Sequence, residues 1–422
     1  MINGSLLKTC KIKIEDIIAV FTDGTTITIP SSNVTYISIE KDFFNSFLPI
    51  LNIKCIVSKQ EYYKINTNSP KFKIDIKKFF IPSTYQVFDK NKLTIVYKQF
   101  LKGIFINTNN VDSSPIENSI ENRKELKNEE RNDYEKANTE LDLYLFTEEG
   151  LNYRKLNSTI FKNTTMFNVI LALTQLTEQR NNLLLTIPDN TKIYSNEDII
   201  IPTNLTYIGC IKYLQSVYGI YNNGYMLFND FDKLYLLDKS IKCNTYSRGE
   251  FKRVYIEFNE TNKENGNVYG QYEDYTNKRY MLNSINRPTV VTNGTDTSEI
   301  LFNELKSTNT YTGKTSTYKI KNINSMNKNN TKVFDNRYNN DFIVKSMVHE
   351  MELNNYTIQV TLNETDMDIL TPNKEYYLYF NLDNNEYKKM SGSSIISKLI
   401  GIYEKSDDEM FSGLIKAEFK RA

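Results

Sequence analysis

Strict alternation of apolar and polar residues is the feature that most constrains the fold of this chain. In KFKIDIKKF, residues 71–79, one face of an extended strand is apolar and the other carries lysines and an aspartate; the apolar face holds Phe72, Ile74 and Ile76. Similar β-rich runs follow one another closely here, and Asp23-Gly24 between two of them is typical of a hairpin turn. These runs predict a small antiparallel barrel or sandwich over residues 1–107, with Gly103 at a bulge or a close approach.

A second group of β-rich runs lies near the end of the chain. Residues 250–260 alternate as one strand, and 341–422 contain further strands with polar turns at Asp383–Asn385 and Asp407-Asp408. We therefore predict a second barrel-like domain from 250–260 plus 341–422. The Asn-rich stretch 261–340 is predicted to interrupt it as an insertion of exposed hairpins or loops.

Between these groups lies a middle α/β segment, residues 141–249, which a charged linker, residues 108–140, precedes. Apolar residues recur there at helical spacing and predict a first helix capped by Asn163 or Thr164: Met166, Val169, Ile170, Leu173 and Leu176. A second helix is predicted after Pro202, with its buried side formed by Tyr207, Ile208, Ile211, Leu214 and Tyr218. Short apolar strands are predicted to end at Pro188 and Pro202.

The run GIYNNGYMLFNDFDKLYLLDK, residues 219–239, is unusually dense in apolar residues. Its pattern predicts a strand start at Gly219–Tyr221, a turn with positive φ at Asn222–Gly224, and two strands joined through Asp230–Lys233. Asp230 and Asp232 are interpreted as acceptors for nearby backbone N–H groups in the turn. A calcium site would need more oxygen ligands at loop spacing, and the twelve-residue calcium-loop pattern is missing.

Candidate catalytic groups are few. His349 is the only histidine, and it lies inside a strand predicted over residues 341–353, where it is interpreted as structural. Glu148-Glu149 and Asp407-Asp408 are adjacent carboxylates in predicted turns, where solvated charges are the better interpretation than a glycosidase pair. The sequence contains neither a GxxxxGK[ST] phosphate loop nor a GxGxxG run. No catalytic, cofactor-binding or metal-binding residue is predicted.

The lysines around residues 71–78 leave two alternatives open. They could line a nucleic-acid track, or they could form the solvent side of a barrel strand that discourages edge-to-edge aggregation. Because no stacking aromatic residue shares their face, the solvent side is favoured. The residues concerned are Lys71, Lys73, Lys77 and Lys78.

The overall charge does not indicate nucleic acid or an acidic membrane surface as a partner, since the chain has 52 basic and 51 acidic residues and a formal net charge of +1. The scattered cysteines are interpreted as small core residues in a reducing environment: Cys10, Cys55, Cys210 and Cys243. No run approaches the ~20 apolar residues of a membrane span, and the start of the chain lacks a signal-peptide pattern.

The middle segment resembles the tail-hub family of tailed bacteriophages, whose relatives include the first part of type VI secretion spike proteins. The resemblance rests mainly on residues 160–239 and covers most of 30–260. It is carried by TMFNVILALTQLT, by LLLTIPDN, and by matching residues at Ile201-Pro202, Asn204-Leu205, Tyr213-Leu214, Tyr218–Tyr221, Phe231-Asp232 and Tyr235–Leu237. EKDFFNSFLPILNIKCIV, residues 40–57, is similar to the family's first barrel. The resemblance is weaker over 341–422 and is missing from 107–140 and 261–340.

The resemblance implies a mainly β (α+β) fold with two small β-barrel-like tube domains flanking the middle α/β segment, with polar insertions. It also implies a structural virion protein without enzymatic activity, synthesised in the host bacterial cytoplasm. Three copies would form a homotrimer, and their six tube domains would match a six-fold tail tube to a three-fold spike.

The expected partners are a tail tube or distal tail protein, a spike or tail-tip protein, the tape-measure protein and baseplate wedge proteins. DNA would pass through the lumen without sequence recognition. Because no long C-terminal extension follows residue 422, a contractile tail or a phage-tail-like particle is favoured. Two alternatives remain at this stage: a cell-wall hydrolase, and a carbohydrate-binding tail protein, for which 30 Tyr and 23 Phe are a weak indication.

Overall fold

Most of the chain is described in a computed structural model. The described residues are 8–82, 96–108, 138–155, 157–176, 183–189, 198–231, 233–240, 253–260, 268–273, 279–284, 289–292, 304–309, 313–319, 331–336, 342–353, 356–381, 391–406 and 409–421. Within these ranges the strands of the first half are β1 (Lys8–Ile14), β2 (Ile17–Val20), β3 (Thr26–Ile29), β4 (Val34–Asp42), β5 (Ile50–Ser58), β6 (Lys71–Pro82), β7 (Val96–Asn107), β8 (Asn138–Thr147), β9 (Asn157–Phe161), β10 (Leu183–Leu185), β11 (Ile199–Leu205), β12 (Tyr225–Asp230) and β13 (Lys233–Asp238).

The later strands are β14 (Arg253–Glu260), β15 (Val268–Glu273), β16 (Arg279–Ser284), β17 (Thr289–Thr292), β18 (Glu304–Asn309), β19 (Thr315–Lys319), β20 (Thr331–Asn336), β21 (Tyr356–Asn363), β22 (Glu375–Asn381), β23 (Gly392–Lys405) and β24 (Phe411–Arg421). The α-helices are α1 (Lys59–Asn68), α2 (Met166–Leu176), α3 (Tyr207–Val217) and α4 (Phe342–Leu353). Short 3₁₀ helices span Ser31–Asn33, Glu148–Arg154 and Met367–Ile369.

One large sheet of 16 strands closes on itself twice and so forms two barrel-like rings. The first ring follows the pairing order β1-β6-β7-β8-β5-β4-β23-β24 and back to β1. The second follows β23-β22-β14-β15-β16-β21-β24 and back to β23. Closure is partial, because the β1–β24 and β16–β21 contacts each contain only two residue pairs. The mainly β fold with two barrel-like modules is therefore confirmed.

The hairpin β23–β24 belongs to both rings. Residues near its turn pair with β4 and β1 of the first ring, and residues near its open end pair with β22 and β21 of the second ring. Apolar side chains from both rings merge into one core in which Leu399, Phe411 and Ile415 are buried. The rings are consequently joined by continuous backbone hydrogen bonding and by a shared core.

The middle segment packs its helices against a three-stranded sheet with the order β10-β13-β12. Alternate residues of the β12–β13 hairpin point into two different cores: Met226 and Phe228 enter the core of the rings, and Leu227 enters the core beneath α2 and α3. Burial on both faces explains why the run 219–239 is so dense in apolar residues. The predicted two strands and the positive φ of Gly224, at 81°, are confirmed, whereas Gly219–Tyr221 is not a strand.

Both predicted helices of the middle segment exist, as α2 and α3. The cap prediction for α2 was wrong, because Thr165 Oγ1 accepts the bond from Asn168 N–H at 3.3 Å. Leu176 and Ile208 were predicted to be buried but are 53% and 38% exposed. β11 does not end at Pro202 but continues to Leu205. Proline lacks a backbone N–H, and an edge strand tolerates it at a position where no N–H is needed for pairing.

Two further helices were not predicted. Residues 341–353 were predicted as a strand, but 342–353 form α4, because the apolar residues recur three and four apart: Val344, Met347, Val348 and Met351. Residues 59–68 form α1 behind a capping box of Ser58 and Glu61. The predicted bulge at Gly103 was also misplaced: Gly103 pairs with Ile74, and the register shift of β6–β7 lies beside Phe100.

Parts of the Asn-rich stretch 261–340 join the main sheet. β15 and β16 complete the second ring, β17 pairs with β21, and β18–β20 form a separate three-stranded sheet. The turns predicted at 383–385 and 407–408, Cys243 and most of the linker 108–140 lie outside the described residues. The predicted domain boundaries stay a prediction.

Candidate functional site at the junction of the two rings

His349 lies on α4, and this position corrects the strand prediction. Its Nε2 is 3.0 Å from the carbonyl oxygen of Lys239, so this nitrogen carries the proton and donates. The neighbouring Glu350 accepts a hydrogen bond from Lys239 Nζ at 2.6 Å. The histidine therefore helps to attach α4 to the end of β13, as a structural group would.

Of the two carboxylate pairs singled out in the sequence, the structure describes Glu148-Glu149. Glu148 Oε1 is 2.5 Å from Lys71 Nζ, Glu149 is exposed on the same 3₁₀ helix, and Asp407-Asp408 and Asp232 lie outside the described residues. Among the lysines of β6, Lys71 and Lys73 are exposed, and Lys77 is bonded to Glu15. Lys78 was grouped with them but is buried.

Two lysines lie in the core because they continue the apolar phase of their strands. Lys41 follows Ile37 and Ile39 on the inner face of β4, and Lys78 follows Ile76 on the inner face of β6. Lys41 is only 3% exposed, and Lys78 is only 4% exposed. A buried ammonium group needs anionic partners, since burial without them carries a large desolvation cost.

Those partners come from distant parts of the chain. Lys41 Nζ lies 2.8 Å from Oδ1 and 2.9 Å from Oδ2 of Asp230, the last residue of β12. It also lies 3.9 Å from Asp368 Oδ1. Lys78 Nζ donates to Asp366 Oδ1 at 2.7 Å and to Asp368 Oδ2. Asp366 caps the 3₁₀ helix that carries Asp368. We call these five residues the junction network.

The ionised forms of Lys41, Lys78 and Asp368 are favoured by their oppositely charged neighbours. Burial alone would lower the pKa of Lys41, but Asp230 and Asp368 outweigh it and raise the pKa above its ordinary value. The same balance, with Asp366 and Asp368 as partners, raises the pKa of Lys78. Burial opposes ionisation of Asp368, yet Lys41 and Lys78 hold its pKa below the ordinary value.

A cavity of about 390 Å³ opens beside the network, between β7, the β12–β13 turn and the 3₁₀ helix; its lining includes Lys41, Asp230, Asp368, Phe105 and Phe231. Glycoside hydrolysis needs a carboxylic acid that is protonated near neutral pH. Both oxygens of Asp230 contact Lys41, and the pKa of Asp368 is lowered. The carboxylates of Asp230 and Asp368 are therefore suited to holding segments together rather than to donating a proton.

The junction network was not predicted from the sequence, although part of its signal was present. A lysine in the same phase as Phe72, Ile74 and Ile76 indicates a buried charge, and Lys41 continues the phase of Ile37 in the same way. Asp230 was interpreted only as a turn acceptor, and its Oδ1 does accept from Phe231 N–H at 3.1 Å. Its bond to Lys41 is a long-range contact that local sequence does not specify.

Among the described residues, no three His, Cys, Asp or Glu side chains lie together in a way that could hold a metal ion. The helices of the described part are all too short or too polar to cross a membrane.

Nearly the whole chain matches a known protein family. The profile of the family described as Bacteriophage PBS1 gene 109 protein matches residues 3–412. The chain belongs to this family. No curated protein matches the sequence.

Solved structures with a similar fold include a crystal structure of the tail protein from Neisseria meningitidis MC58, with 11% identity and a TM-score of 0.53 over 98% of this chain and 97% of that one. The 43 kDa tail protein of prophage MuSo2 from Shewanella oneidensis has 8% identity and a TM-score of 0.49 over 96% and 97%. A lidded Francisella PdpA–VgrG complex has 11% identity and a TM-score of 0.49, over 99% of this chain and 53% of that one.

The similarity to the Neisseria protein extends over nearly the full length of both chains. Together with the family match, it confirms the predicted resemblance to the tail-hub proteins of bacteriophages. The fold of this chain is thus similar to that of a tail protein.

Proposed function

We propose that this protein is a structural hub of a phage tail or baseplate and acts without catalysis. The observation that carries the proposal is the pair of barrel-like rings in one chain, joined by the β23–β24 hairpin. Three chains around an axis would present six such modules, so one face could match a six-fold tube while the whole assembly keeps three-fold symmetry.

In this assembly one face contacts the tail tube or a distal tail protein, and the other contacts a spike or tail-tip protein. Baseplate wedge proteins bind the outer side. The tape-measure protein occupies the lumen before DNA passes through it, and backbone recognition without base reading suffices for passage. The site of action is the virion, and a contractile tail or a phage-tail-like particle is the favoured setting.

The test is the oligomeric state and shape of the purified chain. Sedimentation equilibrium should give a species of three times the 49.3 kDa of one chain, alone or with the tail tube protein of the same phage. Negative-stain images should show three-fold rings with a central hole. A chain that stays monomeric both alone and beside the tube protein, with no rings in the images, would refute the hub role.

A further inference from the structure

The junction network connects three parts of the chain that are far apart in sequence. Lys41 and Lys78 belong to the first ring, Asp230 to the middle segment, and Asp366 and Asp368 to the turn between β21 and β22 of the second ring. We propose that these five residues are positioning residues that fix the angle between the two rings, and that three chains close into an assembly only at this angle. The inference rests on the proposed hub function.

The junction network joins the two rings at a place away from their shared hairpin. The rings share the β23–β24 hairpin and the apolar core around it. The bonds of Lys78 to Asp366 and Asp368 join β6 directly to the second ring, away from that hairpin. The Cys10 N–H also donates to the carbonyl oxygen of Glu364 at 2.7 Å. The turn after β21 is therefore held against β1 and β6 at points away from the shared hairpin.

The contacts of the junction network are directional hydrogen bonds. Apolar packing is non-directional and tolerates small rotations, whereas a hydrogen bond weakens when its angle changes. Lys41 is held by both oxygens of Asp230, and Asp368 contacts both lysines. The network therefore resists rotation of any one segment against the other two.

The energetics of the junction network also favour a positioning role. A buried ion pair often contributes less stability than an apolar replacement of similar volume would. The pairing of buried Lys41 and Lys78 with three aspartates is thus poorly explained by stability alone. Definition of one orientation is what such a network adds to the fold.

The decisive experiment separates stability from assembly. In the variant Lys41→Met with Asp230→Leu, the pair is replaced by apolar side chains, and Asp368 keeps its bond to Lys78. We expect a urea midpoint equal to or above that of the unmodified protein. We also expect the concentration for half-maximal trimer formation to rise about tenfold or more, measured by sedimentation equilibrium. A purely structural role would not move assembly while leaving stability intact.

The matched control removes an exposed pair, with Lys13→Met and Glu409→Gln; these side chains are 42% and 77% exposed. It should leave both stability and assembly unchanged. A second variant, Asp366→Asn, takes one partner from Lys78 and serves if the first variant fails to fold. It should weaken assembly to a smaller degree.

The outcomes are distinct. If the unmodified chain does not trimerise, the hub function and this inference both fail. If the unmodified chain trimerises and the folded network variants trimerise equally well, the hub function stands and the inference is overturned. A loss of trimer from a folded, stable variant, with the control unaffected, supports it.

Discussion

Tyr403 lies on the hairpin common to both rings, and two glycines leave the space that its ring occupies. Gly413 is its cross-strand partner, and a Cβ atom there would lie 2.4 Å from Cε1 and 2.6 Å from Cδ1 of Tyr403. A Cβ atom on Gly401 would lie 2.8 Å from Cε2. The ring is 2% exposed and cannot swing into solvent without leaving the core.

Gly413→Ala should therefore destabilise the protein. Without the ring, alanine in a strand would be more stable than glycine by ~0.5–1 kcal/mol. Forcing a methyl group into the packed contact costs ~1–3 kcal/mol. The net expectation is a loss of up to about 2.5 kcal/mol in the free energy of unfolding. It is measured by urea denaturation with far-UV circular dichroism at fixed protein concentration.

The sign of the effect should reverse when the ring is removed. In a Tyr403→Leu background, Gly413→Ala should gain ~0.5–1 kcal/mol, so that the double-mutant cycle yields a coupling of about 1–3 kcal/mol. Gly103→Ala is the matched control, because its Cβ would meet the Phe105 ring at an ordinary 3.6 Å. The reasoning is refuted if Gly413→Ala stabilises the unmodified protein, or if its effect is the same in both backgrounds.

Three further outcomes are expected. Ser58→Ala removes the side-chain cap of α1 and should lower stability by ~1 kcal/mol in the same urea assay, and an unchanged midpoint would contradict the capping role. The pKa of Asp368 is lowered in the folded protein, so its carboxylate stabilises the fold at pH values above the ordinary pKa of 3.8. This contribution is lost as acid protonates the folded carboxyl group. Asp368→Asn should therefore flatten the fall of the urea midpoint between pH 5 and pH 3, about two units around that pKa, and equal slopes in both proteins would count against it. Burial raises the pKa of the thiols of Cys10, Cys55 and Cys210. They should resist iodoacetamide at pH 8.5, near the pKa of a free thiol at about 8.5, until urea unfolds the chain. Peptide mass spectrometry reads the labelling, and fast labelling of the native protein would contradict the burial of these thiols.

Strands were predictable from sequence because their signal is local. The alternation around Phe72 appears directly as burial of one face of β6, and the turn at Asp23-Gly24 joins β2 to β3 as expected. Ring closure was less accessible, since β4 pairs with β23 across most of the chain length. Nothing near Ile39 in the sequence names Gly401 as its partner.

Helices were predicted less evenly. α2 and α3 carry clear apolar stripes, whereas α4 contains β-branched and apolar residues that also suit a strand. The residue spacing from Val344 to Met351 favours a helix, and that period decides the outcome. α1 has few apolar residues, with only Ile65 buried, so its capping box at Ser58 and Glu61 was the available signal.

The candidate site was the least predictable part. The phase of Lys41 and Lys78 could have indicated buried charges, but their partners depend on how three distant segments meet. Asp368 sits in a short 3₁₀ helix with no regular pattern around it. Tertiary structure alone brings these groups within hydrogen-bonding distance.

The β23–β24 hairpin also sets the order of events during synthesis. Residues 392–421 supply strands to both rings, so neither ring can close while the ribosome is still translating the earlier part of the message. Until then the nascent chain presents unpaired edges at β4 and β22, which invite mispairing with neighbouring chains. Closure of both rings therefore waits for the same hairpin, and slow elongation through the earlier strands cannot help one ring to finish before the other.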